Sequence, residues 1–273
     1  MIRYIKEGFR TARSQTFVLL FMWLYQFLWG YVLLLFVRSI TVPLLHRYPG
    51  EHLPSGASQL FLAEAQFRLM KTDISHSYLW LLLAFAAARM LITPVLNAGI
   101  YYSIHHPELN TGYRFIEGIR RLGKPFLGLY LVQLIFMLAP LYWIFPLVQK
   151  ALSANSDAMQ LAMSLLPWLA AYAVYGYLVH LCFVYLFLGR TTDKSILASL
   201  LLFARKIPAA VAVSLFLLFL WGVAAAASLS VSLLWAGVSA LLLQQLFHFL
   251  KLGFRLLHVS SQYHVFTGHE SGS

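Results

Sequence analysis

An all-α, polytopic membrane bundle of about six spans is the fold this chain predicts, on three observations. The 273 residues are 60% hydrophobic and 11% charged, with a mean hydropathy of +0.74; soluble domains are about 45–50% apolar and about 25% charged. The apolar residues gather into runs long enough to cross a hydrocarbon core of about 30 Å. None of the nine acidic residues falls inside such a run.

The predicted spans are roughly 17–37, 78–100, 126–148, 164–188, 208–230 and 233–250. The last two are divided only by Ser228 to Ser232, without a charge, proline or glycine. Residues 1–258 are thus expected as one transmembrane domain and 259–273 as a flexible cytoplasmic tail, where His264 and His269 read as incidental. The basic N-terminal segment precedes an apolar run with no small-residue cleavage site after it, which predicts a retained span.

Charge sets the expected orientation. The net charge of +11 is carried by short basic clusters at span ends, the pattern of a membrane surface and not of nucleic-acid binding. With the N-terminus inside, the cytoplasmic segments hold Arg3, Lys6, Arg10 and Arg13, Arg114 to Lys124, Arg190, Lys194, Arg205 and Lys206, and finally Lys251 and Arg255. The outer loops hold only Arg38, Arg47, Arg68, Lys71 and Lys150. Both termini are predicted to be cytoplasmic, in a bacterial inner membrane.

Each cytoplasmic segment ahead of an odd-numbered span reads as an amphipathic helix lying in the interface. In the first, Ile2, Ile5, Phe9 and Ala12 share one face; in the second, Phe115, Ile119 and Leu122 do so, with Arg114, Arg121 and Lys124 opposite. The third runs from an Asp193 N-cap to Arg205 and Lys206 in its last turn. Headgroup contacts are therefore expected from Arg10, Arg13, Arg120, Arg121, Lys124, Arg205 and Lys206. The unit of interfacial helix, outward span and inward span occurs three times, with Glu7-Gly8-Phe9-Arg10 echoed in Glu117-Gly118-Ile119-Arg120. It reads either as a threefold repeat or as the common look of basic segments before spans. In the outer loop 38–77, a stripe of Leu60, Ala63, Phe67 and Met70 predicts an amphipathic helix over 57–72.

Arg89 is the one basic residue expected at membrane depth, where a guanidinium needs protein, water or an anion. Asn97, Gln133 and His180 are candidate partners, in a structural role or around a bound lipid phosphate or substrate carboxylate. No phosphate loop, nucleophile elbow or zinc signature occurs, and the single Cys182 permits no intrachain disulfide. No catalytic residue, metal site or cofactor is expected.

Thr93 to Leu131 carries Pro94, Gly99, Gly118, Arg120, Gly123 and Lys124. This stretch resembles bacterial six-span membrane families in which a span ending P-x(4)-G leads to a basic amphipathic helix closing near Gly-Lys. The membrane domain found beside some glycerophosphodiester phosphodiesterases is one of them. The resemblance implies a helical membrane module without chemistry of its own. It assigns no substrate; Arg89 and the cytoplasmic basic belt leave two partner classes open. The chain handles an anionic lipid or amphiphile during transfer or export, or it is an accessory subunit packing against a membrane partner or a second copy of itself.

Overall fold

A computed structural model of the chain describes residues 2–45, 73–154, 158–234 and 238–268. The described residues form eight helices and no strand. These are α1 (Ile2–Arg13), α2 (Thr16–Leu45), α3 (Asp73–His105), α4 (Thr111–Leu138), α5 (Leu141–Ala154), α6 (Ala158–Thr191), α7 (Ile196–Leu234) and α8 (Val238–Thr267). Five stretches are long and apolar enough to cross a membrane: Thr16–Ser39, Tyr78–His105, Thr111–Ala151, Met159–Thr191 and Ile196–Ser230. The chain is a helical, multi-span membrane protein by that measure. The expected sixth span, 233–250, falls largely on α8, which is not among the five. The expected loop helix over 57–72 lies outside the described residues.

The chain divides into two units, Met1–Leu20 with Pro94–Ser273, and Phe21–Thr93. In the smaller unit α2 and α3 run antiparallel. Trp29 meets Phe85 edge-on at 6.1 Å and Phe36 meets Tyr78 at 6.0 Å. Leu24, Leu28, Leu35, Leu79 and Leu82 point outward, as lipid-facing residues do.

In the larger unit, successive long helices alternate direction. Phe126 stacks on Phe187 at 4.7 Å and Tyr172 donates to the Met137 carbonyl at 3.0 Å, which makes α4 and α6 antiparallel. The Gln262 amide donates to the Ala210 carbonyl and Trp221 packs on Phe247, which does the same for α7 and α8. Glycine allows the closest crossing. A Cβ on Gly118 would sit 2.5 Å from Tyr102 Cβ and 3.0 Å from Gly99 Cα, so α3 and α4 meet backbone to backbone, as small residues permit in membranes. Tyr101, Phe126 and Phe187 pack over this crossing.

Several local expectations need correction. Only the first basic segment is a separate helix; the second and third are the opening turns of α4 and α7. Arg114, expected on a solvated face, is 3% exposed. Its guanidinium donates to the Pro107 carbonyl at 3.1 Å and to Gln15 Oε1 at 3.1 Å. A cation beyond the last turn of α3 is favourable there, because helix C-termini carry unsatisfied carbonyls. Asp193 is not an N-cap. It adopts φ 53° at the end of α6, where Lys194 N–H closes on the Gly189 carbonyl at 2.8 Å, and Ser195 caps α7 by accepting the Ala198 N–H at 3.2 Å.

Residues 259–267, expected in a flexible tail, are the last turns of α8, with Ser260, Ser261, Gln262 and Phe266 buried. Polarity misled here, because these polar side chains face other helices. α1 crosses them, Gly8 lying against Ser261. Thr11 donates to the Glu7 carbonyl, so its oxygen accepts from His264 Nε2 at 2.9 Å. Burial pulls the His264 imidazole below its ordinary value, and Glu7, 3.8 Å away, opposes that shift. Glu7 itself is held low by its hydrogen bond from Arg3 and, further, by the neighbouring His264, against the opposing effect of burial.

Candidate functional site

Polar groups in the larger unit form two adjoining tiers. The first lies within the bundle. Arg255 on α8 donates to Asn97 Oδ1 on α3 at 2.7 Å. Gln133 on α4 approaches His180 Nδ1 on α6 at 3.4 Å. The His180 ring lies nearly parallel to that of His258, with centroids 6.4 Å apart. Gln262, fully buried, donates to Ser214 Oγ at 2.8 Å. Ser214 Oγ is in turn hydrogen-bonded to His258 Nε2 at 2.8 Å. A hydrogen-bonded chain thus runs from Gln262 through Ser214 to His258.

Of the sequence candidates, this tier brings together Gln133 and His180, and pairs Asn97 with Arg255. Arg89 stands elsewhere. It belongs to the smaller unit and its side chain is exposed, while its carbonyl accepts from Thr93 at 2.6 Å. Arg255, His258 and Gln262 lie beyond residue 250 in a run that reads as a polar end, and Ser214 is a lone hydroxyl inside an apolar span. A signal was present: Arg255, His258 and Gln262 stand at i, i+3 and i+7, one face of a helix.

The second tier begins two turns further along α3, where helix ends converge. Tyr102, His105 and His106 from α3, Arg121 from α4, Arg190 and Thr191 from α6, and Asp193 line a polar recess of about 290 Å³. His105 is hydrogen-bonded to the Tyr263 hydroxyl at 3.0 Å. His106 stacks on Tyr102 with centroids 4.1 Å apart and donates from Nδ1 to the Tyr102 carbonyl at 3.3 Å. Arg121 is oriented by Glu117 at 2.6 Å. Arg190 makes no ion pair or side-chain hydrogen bond among the described residues, and neither does Asp193.

The recess opens beside a second hollow of about 340 Å³, with which it shares Arg190 and Pro125. That hollow is mostly apolar, walled by Leu129, Leu186 and Ile196, with Lys194 and Ser199 at its edge. Cationic recess and apolar trough thus meet at one arginine. A third hollow, about 410 Å³, lies between α1 and α8 and is almost wholly apolar, with Arg13 as its one charge.

The other expected headgroup cations divide. Arg10, Arg120, Lys124 and Arg205 have exposed side chains. Lys206 is half-buried, and its ammonium caps α8 by donating to the Val265 and Phe266 carbonyls at 2.6 and 3.2 Å, a favourable position for a cation. Among the described residues, no group of three or more His, Cys, Asp or Glu is placed to hold a metal ion.

The fold and these tiers define a class, a multi-span helical membrane protein with polar groups inside its bundle. No protein-family model matches the chain, and neither the curated proteins nor the solved structures contain a match.

Proposed function

We propose that this chain is a non-enzymatic membrane module that holds an amphiphile by its anionic group in the recess of Arg121 and Arg190. One observation carries the reading: the cationic recess and the apolar trough share Arg190 and Pro125. An amphiphile needs both environments side by side, since its charged group seeks guanidinium donors and its chain seeks apolar cover. On this reading Arg121 and Arg190 take the anion, His105 supplies a further donor, and Leu129 and Leu186 cover the chain. Six spans with cytoplasmic termini fit the same picture. α8 runs parallel to α3, as the sixth and second spans of an alternating bundle do, and on this reading the recess lies at the cytoplasmic leaflet, among phospholipid headgroups.

Native mass spectrometry of the protein from mild detergent tests the reading, with wild type beside Arg121→Gln/Arg190→Gln. Phospholipid adducts on wild type, largely lost from a double variant of unchanged melting temperature, are the expected result. Equal adducts on both proteins would remove the recess as a binding site.

A further inference from the structure

The recess is not uniformly cationic. Asp193 lines it together with Arg121 and Arg190, three residues along the chain from the latter. Arg190 and Asp193 have exposed side chains and make no ion pair with each other or with any described residue. Glu117, by contrast, is already engaged by Arg121 at 2.6 Å. The recess therefore presents a guanidinium and a carboxylate that are both open to a ligand.

The backbone adds a second observation. Asp193 has φ 53°, at the position after a helix where glycine is the usual residue because it has no Cβ to clash. Aspartate is tolerated in this conformation at some cost. That backbone conformation closes the end of α6, with the Lys194 N–H on the Gly189 carbonyl, beside the recess that Asp193 lines.

We infer that the recess selects a zwitterionic headgroup, with its phosphate on the Arg121 and Arg190 side and its ammonium on Asp193. This deepens the function proposed above and rests on it. A purely anionic headgroup satisfies the two guanidiniums but meets the Asp193 carboxylate without compensation. A phosphate carrying an ammonium a few bonds away satisfies both. The apolar trough at Leu129 and Leu186, which shares Arg190 and Pro125 with the recess, makes the ligand a phospholipid and not the free headgroup.

The test is a competition on the full chain in mild detergent. Equimolar phosphatidylethanolamine and phosphatidylglycerol with identical acyl chains are added, and adducts are counted by native mass spectrometry. Wild type is expected to favour phosphatidylethanolamine by roughly two- to fivefold, the size of one solvated ion pair. Asp193→Asn keeps a residue at ease with positive φ, so its fold is retained, and it is expected to lose that preference. Asp193→Gly, which relieves the backbone, should lose it equally. A wild-type preference for phosphatidylglycerol, or a preference that survives both substitutions, overturns the inference while leaving Arg190-dependent binding intact. If Arg190→Gln also leaves both adducts unchanged, the proposed function falls with it. Soluble phosphoethanolamine binding as tightly as the lipid would overturn the assignment to a phospholipid.

Discussion

Arg255 donates to Asn97 across α8 and α3 at 2.7 Å, and two turns later Tyr263 is hydrogen-bonded to His105 at 3.0 Å with the same sequence offset. Equal offsets at both ends mean that the two helices run parallel and in register. The pair of contacts links the tiers: Asn97 belongs to the polar interior, His105 to the recess, and one stiff helix carries both. Side chains four and eight residues apart lie on one helix face, so a shift of α8 against α3 moves both tiers together.

Removing the Asn97 amide tests that link. Asn97→Leu leaves the Arg255 guanidinium without this acceptor in a setting where water is scarce. A loss of about 1–3 kcal/mol is expected, the cost of breaking a hydrogen bond to a charged group. Arg255→Met alone should cost a similar amount, and the double variant should cost less than the two added together. Strict additivity of the three melting shifts in detergent would show that the pair is not coupled.

The α3–α4 crossing makes a steric prediction. With 2.5 Å from a Gly118 Cβ to Tyr102 Cβ and 3.0 Å to the Gly99 backbone, no side chain can yield enough room. Gly118→Val is expected to destabilise the fold by about 1–3 kcal/mol, as overpacking does, with a lower melting temperature. Gly128, with nothing within 4 Å of its Cβ position, serves as the control. Gly128→Ala should melt at or above the wild-type temperature, because alanine favours the helix.

The docking of α1 on α8 should depend on pH. Burial holds His264 below its ordinary value near 6.5, with Glu7 working the other way. A histidine depressed in the native state contributes its stability fully above the unfolded value, and that contribution is lost as pH falls through the native value. Charging the ring adds a desolvation cost at the contact with Thr11. Hydrogen exchange of the α1 amides, corrected for intrinsic rates, should therefore show severalfold less protection at pH 5 than at pH 7.5. His264→Gln, which keeps a donor near the Nε2 position and cannot charge, should flatten the difference. Glu7→Gln should steepen it, since the favourable carboxylate is gone.

Much of the fold was legible because a bilayer imposes length and apolarity on every span. Runs such as Phe17 to Val37 and Tyr78 to Ile100 announce themselves, and the described helices cover them. What polarity conceals is direction. Gln262, Ser260 and Ser261 read as a hydrophilic end, yet they are buried between helices, and only their spacing hinted at a packed face. Arg114 and Lys206 likewise read as surface cations, although each caps carbonyls at a helix end. The recess was hidden for a different reason. His105, Arg121, and the pair Arg190 and Asp193 come from three places in the chain, and each alone has an ordinary explanation, as a span end, a basic cluster or a helix cap. Their meeting is a property of packing that no single segment records.

Arg89 and Arg190 give the sharpest contrast between the two ways of finding a site. Hydropathy singles out Arg89, a cation in an apolar run, and its side chain is exposed on α3 in the smaller unit. Arg190 looks unremarkable in sequence, yet it stands where the polar recess and the apolar trough meet. A lone exposed guanidinium on a spanning helix reaches toward the interface along its own aliphatic stem. On the proposed reading Arg190 acts with Arg121 on a single anion, and Arg89 stands apart from that site. Arg89→Gln is therefore expected to leave the phospholipid adducts within about twofold of wild type, the size of one exposed ion pair at the low end. Arg190→Gln is expected to cut them by about tenfold, the loss of one charge-assisted pair worth about 1.4 kcal/mol. Native mass spectra of the two variants, recorded side by side at equal protein and lipid concentration, decide the matter. The reverse order, with Arg89→Gln losing lipid and Arg190→Gln keeping it, would move the binding site from the recess to α3.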